Sequence, residues 1–367
     1  MSRSTHDLRV LSPSRVCLIK PSALGDVTNA YPVLSALRER WPSAHLTWVV
    51  NKSLRGLLDG HPDLNEVITY DRAGTNFRPR GIRNFARFLS TLRAGRFDLA
   101  IDLQGLLRSG LMAAATRAPI RVGFADAREG APWFYTHRVV TSPSKPHAVD
   151  RLLGIAESFG ADVKAPKFLA PNSISDQEWA HEQLNNVPRP RLMLNMGARW
   201  ETKRWPAEHF AEVARRAVER WGAGLVIVGA PEDRPIVERF QSVLGDIPIK
   251  DLCGRTTLPR LAALACRCDL VVSNDTGPLH LATAAGAKTI GIYTCTLPAL
   301  NGPYGPRASA ITTKVACAGS YLTRCARLDC FQELSVDRVW GLVSEQLGGG
   351  SPRQRLHSAH LRRESIG

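Results

Sequence analysis

No stretch of the 367-residue chain approaches the roughly 18 consecutive apolar residues of a membrane span. Its first fifteen residues, MSRSTHDLRVLSPSR, lack an apolar core of signal-peptide length. A cytoplasmic protein is therefore expected, with room for peripheral contact with a membrane. Cysteine is sparse. Eight thiols in 367 residues make no disulfide scaffold, and cytosolic thiols stay reduced. Acidic residues are in deficit, 33 against 48 Lys and Arg, which leaves a net charge of +15. Such an excess calls for an anionic partner, whether nucleic acid, phosphorylated sugar, nucleotide or anionic lipid. A generally basic soluble surface accounts for the same number.

Several motifs are also absent. No GxGxxG follows the first apolar run, which removes support from a dinucleotide dehydrogenase. No GxxxxGK[ST] is present for a P-loop ATPase, and no GxSxG elbow for a hydrolase. Cys317, Cys325 and Cys330, in CAGSYLTRCARLDCF, lack paired CxxC spacing. Structural thiols are favoured there over a metal site, and neither metal nor cofactor is expected.

What is present is an alternation of short apolar runs with helical patterns. VCLI, HLTWVV, EVITY and LAIDL read as strands. YPVLSALRERW and RNFARFLSTLRAG read as helices, with Phe85, Phe88, Leu89 and Leu92 at helical spacing in the second. This alternation predicts a parallel sheet covered by helices, an α/β protein. It pauses at residues 165–190, where Pro, Asn and Ser suggest a linker. It then restarts through RLMLNM, GLVIVG, LVVSN and TIGIY, with helical patterns between them. Two doubly wound halves are expected, with ligands outside the carboxyl ends of the strands and the site in the cleft between the halves. The tail after Gly348, with Arg353, Arg355, Arg362 and Arg363, has no core pattern and is expected to be disordered.

Four constellations carry candidate chemistry. In LVVSNDTGPLHLATAAG (270–286) a buried strand runs into a helix with Pro278 in its first turn. Asp275 or Thr276 is a natural N-cap, Gly277 permits close backbone approach, and free amides at a helix tip bind phosphate. His280, one turn in, adds a donor or else sits on the surface. In NMGARWETKRWPAEHF (195–210), Lys203 neutralises a diphosphate or is an ordinary exposed loop Lys. In KPSALGD, Asp26 is either a helix cap or a general base facing the cleft; pattern alone does not choose. In the first half, DLQGLLRSG, ADAREGAPWFY and HAVDR join a run of Arg72, Arg78, Arg80, Arg83, Arg87, Arg93 and Arg96. Those arginines suit an anionic acceptor or a solvated basic helix.

Taken together, KPSALGDVTNAYPVLSALRERWP, DLQGLLRSG, HAVDR, KRWPAEHF and SNDTGPLHLATAAG…GPYG resemble glycosyltransferase family 9, the ADP-heptose:lipopolysaccharide heptosyltransferases. The resemblance runs from about residue 15 to 345. It implies a GT-B fold, two Rossmann-like domains facing a central cleft: an acceptor-binding domain at 1–170, a nucleotide-sugar-binding domain at 190–347 and a basic tail at 348–367. It also implies inverting, metal-independent transfer of heptose from ADP-heptose to an inner-core sugar of an anionic lipopolysaccharide. The reaction would run on the cytoplasmic face of the inner membrane, with no nucleic acid involved. By position, Asp26 matches the family's base and Lys203 its phosphate-binding Lys. Asp275, Thr276, Gly277 and His280 match its nucleotide-sugar motif. Asp233, in GAPED, and Thr256 fall where nucleoside contacts are expected, and Gly25, Gln104 and Arg128 complete the expected substrate contacts. YTCTLP (293–298) departs from the family's usual FGPTDP, which leaves the donor sugar open. Rivals are a relative using another nucleotide sugar or acceptor, and a non-catalytic basic protein binding nucleic acid or anionic lipid.

Overall fold

The computed structural model describes residues 7–71, 79–171 and 173–348. Arg72, Arg78 and the tail beyond Gly348 lie outside the described residues.

Apolar runs without alternation form strands buried on both faces, as in a parallel sheet covered by helices. Val16–Ile19 and Leu270–Asn274 are buried throughout. The first sheet holds β1 (Arg15–Ile19), β2 (His45–Asn51), β3 (Glu66–Tyr70), β4 (Leu99–Asp102), β5 (Ile120–Phe124) and β6 (His137–Val139), in the order β3-β2-β1-β4-β5-β6. The second holds β7 (Arg191–Asn195), β8 (Gly224–Val228), β9 (Ile249–Asp251), β10 (Leu270–Asn274), β11 (Thr289–Tyr293) and β12 (Ala308–Thr312), in the order β12-β11-β10-β7-β8-β9. Every pairing is parallel. Both sheets follow one topology, so each has a single switch point: β1/β4 in the first, β7/β10 in the second. Ligands of open α/β sheets bind at such points, beyond the strands' carboxyl ends.

The helices that position the site are α1 (Leu24–Thr28), α2 (Tyr31–Arg40), α3 (Pro79–Ala94), α4 (Leu107–Ala115), α5 (Ala148–Ser158), α6 (Ile174–Leu184), α7 (Ala207–Trp221), α8 (Arg234–Leu244), α9 (Leu258–Arg267) and α10 (Gly277–Ala284). The segment expected to be a linker carries α6. Ser173 accepts the Asp176 N–H as its N-cap, and α6 packs along α9. The Ser and Asn that suggest a linker stand at the helix ends, where short polar side chains cap.

The halves share a core. One buried apolar cluster runs from Val27 and Tyr31 of the first half into Leu261 and Leu281 of the second. Its tightest point is α1 against α10. A Cβ at Gly25 would stand 2.7 Å from His280 Cδ2, and one at Gly277 would stand 2.8 Å from Leu24 Cβ. Two hydrogen bonds bridge the halves nearby. Tyr304 OH donates to Asp150 Oδ1 at 2.7 Å, and His147 Nε2 lies 3.1 Å from Gly302 O.

Gly25→Ala is expected to force this contact apart at a cost of about 1–3 kcal/mol, the usual range for overpacking. A denaturant or thermal melt reads it; a midpoint equal to the parent's would mean that the α1–α10 contact yields freely.

Candidate active site

The loops at the two switch points hold most of the singled-out residues. Lys203, in the loop after β7, places its Nζ 2.5 Å from Asp275 Oδ2 and 4.5 Å from the centre of the Trp200 ring. Lys203 is thus a pinned, largely buried cation rather than a free loop side chain. Asp275, in the loop after β10, also accepts from Thr296 Oγ1 at 2.6 Å, and its Oδ1 lies 3.7 Å from His280 Nε2. Burial raises the carboxyl's pKa, but His280, Lys203 and Thr296 outweigh it and bring it down to about 2. Asp275 is therefore an anion at any physiological pH, and it fixes Lys203 beside the tip of α10. One carboxylate does not exhaust an ammonium's three N–H donors, so Lys203 can still meet an incoming anion.

The tip of α10 differs from the expectation in one respect. Thr276 occupies the N-cap position, but its side chain makes no capping bond. Its Oγ1 accepts instead from Asn195 Nδ2 at 3.0 Å, tying β10 to β7 across the switch point. The amides of the tip are therefore not consumed by a side-chain cap, the arrangement that suits a phosphate. Asn274 acts as a second tie: its Nδ2 donates to Met196 O at 2.7 Å and its Oδ1 accepts the Trp205 N–H at 3.2 Å. The placement of His280 on the surface is overturned. It is buried between Asp275 and Gly25, and its Nδ1 has no hydrogen-bond partner among the described residues.

Asp26 sits in the first turn of α1. Its Oδ2 accepts the Ala23 N–H at 2.9 Å, which makes it a cap. Oδ1 makes no hydrogen bond among the described residues, and the carboxylate is half-buried beside the α1–α10 contact. The cap therefore occupies one oxygen and leaves the other for a base. Below it, Lys20 at the end of β1 is 7% exposed; burial lowers its pKa, against the opposing pull of the Asp26 and Asp102 charges. Asp102, fully buried at the end of β4, accepts from Tyr135 OH at 2.6 Å and from the Gln104 N–H at 2.8 Å. Burial raises its pKa.

Gln104 follows Asp102 and lines a cavity of about 550 Å³ between the opening loop (Pro21, Ser22), α3 and α4. Its Oε1 is buried there without a partner among the described residues. Arg128 is exposed in a loop whose backbone bonds Gly105 O at 2.9 Å, next to Gln104. His147 and Arg151 do not act from one face: His147 caps α5 through Nδ1, whereas Arg151 forms a two-pronged pair with Asp126, both bonds 2.7 Å. Asp233 accepts the Ala230 N–H at 2.9 Å and packs against Gly197, at the loop after β7. Thr256 is half-buried in the loop after β9. Both stand along the carboxyl ends of the second sheet, outward from the α10 tip.

Thr202 and Thr296 are functional neighbours that sequence reasoning missed. Thr202 Oγ1 donates to Leu322 O at 2.7 Å, and Thr294 Oγ1 donates to Thr202 O. The departing segment YTCTLP thus buttresses the loop that carries Lys203, and its threonines were the available signal. Cys317, Cys325 and Cys330 are free thiols. Among the described residues no group of three or more His, Cys, Asp or Glu could hold a metal ion, and no helix is long and apolar enough to cross a membrane.

The chemistry available is anion binding on the second half, facing a carboxylate on the first. Comparison with known proteins gives the family. The family model for glycosyltransferase family 9 (heptosyltransferase) matches residues 85–328. The lipopolysaccharide core heptosyltransferase of Haemophilus influenzae is 30% identical over 297 residues, covering 80% of this chain and 82% of that protein. The crystal structure of a family 9 glycosyltransferase from Veillonella parvula superposes with a TM-score of 0.80 at 25% identity, over 95% of this chain and 100% of that one. An Escherichia coli heptosyltransferase solved with ADP-2-deoxy-2-fluoro heptose has the same fold, with a TM-score of 0.68 and 22% identity, over 90% of this chain and 99% of that one. The two sheets and facing cleft are those of the GT-B architecture, and the chain belongs to glycosyltransferase family 9, the heptosyltransferases.

Proposed function

We propose that this glycosyltransferase moves heptose from ADP-heptose to an inner-core sugar of lipopolysaccharide in the cytoplasm, inverting the anomeric centre and using no metal. The observation that carries the reading is the contact of α1 with α10 across the cleft, where Gly25 meets His280. It brings the helix that carries Asp26 against the helix whose tip adjoins Lys203. The names of the relatives supply the sugar and the acceptor class, and the E. coli structure of the same fold carries an ADP-heptose analogue.

In this reading residues 190–347 hold the donor. The diphosphate lies at Thr276 and Gly277, with Lys203 alongside and His280 beneath. Asp233 and Thr256 reach the nucleoside. Departing ADP gains negative charge, and donors already in place stabilise it without reorganising. Residues 1–170 hold the acceptor, in the cavity that Gln104 lines and Arg128 borders. Asp26 takes the acceptor hydroxyl's proton on the oxygen that does not cap α1, as that hydroxyl attacks from the face opposite the diphosphate. The transition state resembles an oxocarbenium ion, as at glycosidic carbon generally. No acid is needed for the leaving group, because a diphosphate leaves as an anion. The Asp150–Tyr304 and His147–Gly302 bridges favour the closed cleft, which keeps water from the donor.

Asp26→Asn preserves the capping acceptor and removes the base. It is expected to leave ADP-heptose binding by calorimetry unchanged and to lower kcat by about 10²–10⁴-fold; turnover near the parent's would reject the base. Lys203→Ala is expected to weaken donor binding by about ten- to a hundredfold, the worth of one charge-assisted bond. It should also lower the melting point, because buried Asp275 loses its ammonium partner. Unchanged donor affinity would remove Lys203 from the phosphate site.

A further inference from the structure

We propose that Cys325 is a site of reversible thiol oxidation, with Cys330 as its resolving partner, and that the disulfide they form weakens the grip of the Lys203 loop on the donor. The regulatory part rests on the donor reading above; the thiol chemistry does not.

The chain between β12 and the short helix Asp329–Glu333 is a surface strap. No residue of 314–329 is buried, and 313–328 contain neither helix nor strand. A segment with so little apolar contact shifts at low cost. Its bonds go to the Lys203 loop and its neighbours. Thr202 Oγ1 donates to Leu322 O at 2.7 Å, and the Cys325 N–H donates to Glu201 Oε1 at 3.3 Å. The Tyr321 N–H donates to Cys295 O at 2.8 Å, one residue before the Thr296 that bonds Asp275. A Cβ at Gly319 would stand 2.7 Å from Leu297, so the strap also lies on YTCTLP. Glu201 and Thr202 directly precede Lys203, so a displacement of the strap is felt at the ammonium.

Four of the eight cysteines, all free thiols, belong to this strap, to the segment beneath it and to the short helix: Cys295, Cys317, Cys325 and Cys330. Cys330 is their meeting point. It is 9% exposed, and burial, with Cys317, Cys325 and Cys295 nearby, pushes its thiol up to about 11. Leu328, at φ 53°, turns the chain between Cys325 and Cys330, and its carbonyl accepts the Phe331 N–H at 2.8 Å. Cys325 is the contrary case. It is partly exposed, and the backbone N–H groups of Leu328 and Arg327 donate to its sulfur; with the Arg327 charge they lower its pKa. An accessible thiolate held by amides, with a second thiol close by, is what peroxide selects. Among the described residues the thiols do not gather around a point that could hold a metal ion, so the arrangement offers pairwise chemistry.

The oxidant is hydrogen peroxide. The Cys325 thiolate attacks one peroxide oxygen and the O–O bond breaks. Sulfur gives up two electrons, and the departing hydroxide takes a proton and leaves as water. Cys330 Sγ then attacks the sulfenic sulfur. The S–S bond forms as the S–O bond breaks, and the hydroxide leaves with the Cys330 proton as a second water. Joining the two sulfurs draws the strap toward the short helix, and Glu201 and Thr202 follow. Exchange with a dithiol, itself oxidised to a disulfide, restores both thiols.

Mass spectrometry of the full chain, beside calorimetry with ADP-heptose, tests the site. After reduction and removal of the reductant, a small excess of hydrogen peroxide should remove two hydrogens, and peptide mapping should find Cys325 joined to Cys330. Donor affinity should fall by about 5- to 150-fold, the usual range of coupling between two sites, and return with dithiothreitol. Cys325→Ser should form no disulfide and keep its affinity in peroxide. Cys330→Ala should stop at a sulfenic acid that dimedone traps, and Cys317→Ser should react like the parent. All three, reduced, should bind the donor as the parent does. No disulfide, a disulfide that joins Cys317 instead, or thiols that react only after a chelator strips a bound metal would overturn the proposal. So would the Cys325–Cys330 bond with donor affinity unchanged. A reduced parent that binds no ADP-heptose overturns the donor reading and the switch built on it, while the mapped bond sustains the oxidation site.

Discussion

The close approach of α1 to α10 is the constraint on which the rest depends. Each helix starts at the switch point of its own sheet, and each brings a glycine to the contact: Gly25 under the His280 ring, Gly277 against Leu24. Any larger side chain there would separate the two helix starts. With the glycines in place, the two helix starts from distant parts of the chain meet. The first half supplies a carboxylate held in orientation by its own helix cap; the second supplies a helix tip and an ammonium.

Asp275 organises the donor side. Lys203, Thr296 and His280 converge on its carboxylate, and they keep it ionised despite its burial. A buried ion pair adds little net stability, but it holds a cation in one place. Here it holds the Lys203 ammonium beside the tip of α10. A buried carboxyl group also anchors the other side of the cleft, where Tyr135 and two backbone amides satisfy fully buried Asp102 while burial raises its pKa. Both switch points thus rest on hydrogen-bonded buried carboxyl groups rather than on apolar packing alone.

The architecture was legible because strands buried on both faces leave continuous apolar runs; VCLI and LVVSN admit little else. Three of the four edge strands were not. HRV, IKD and ASAIT are partly exposed and short, and carry neither a run nor an alternation. Helix α6 hid in a linker-like composition because it buries just Ala180 and Leu184 and so leaves almost no periodic signature. In the site, DTGPLH and KRWP stood out as local patterns, since a helix tip and its loop are built from neighbouring residues. Their partner Thr296 did not, because it arrives from the end of another strand, β11.

The sequence by itself determined the two α/β halves, their strand cores and the local character of each candidate group, because burial and capping act over a few residues. Tertiary structure decided which role each group could take. Asp26 reads equally as cap or base until α10 is seen beside it, and Lys203 reads as a loose loop cation until Asp275 binds it. HAVDR and GPYG become one bridge only through the Asp150–Tyr304 bond. The reason is distance along the chain. Electrostatics and close contact act through space, and only folding brings residue 25 against 280, and residues 203, 275 and 280 together.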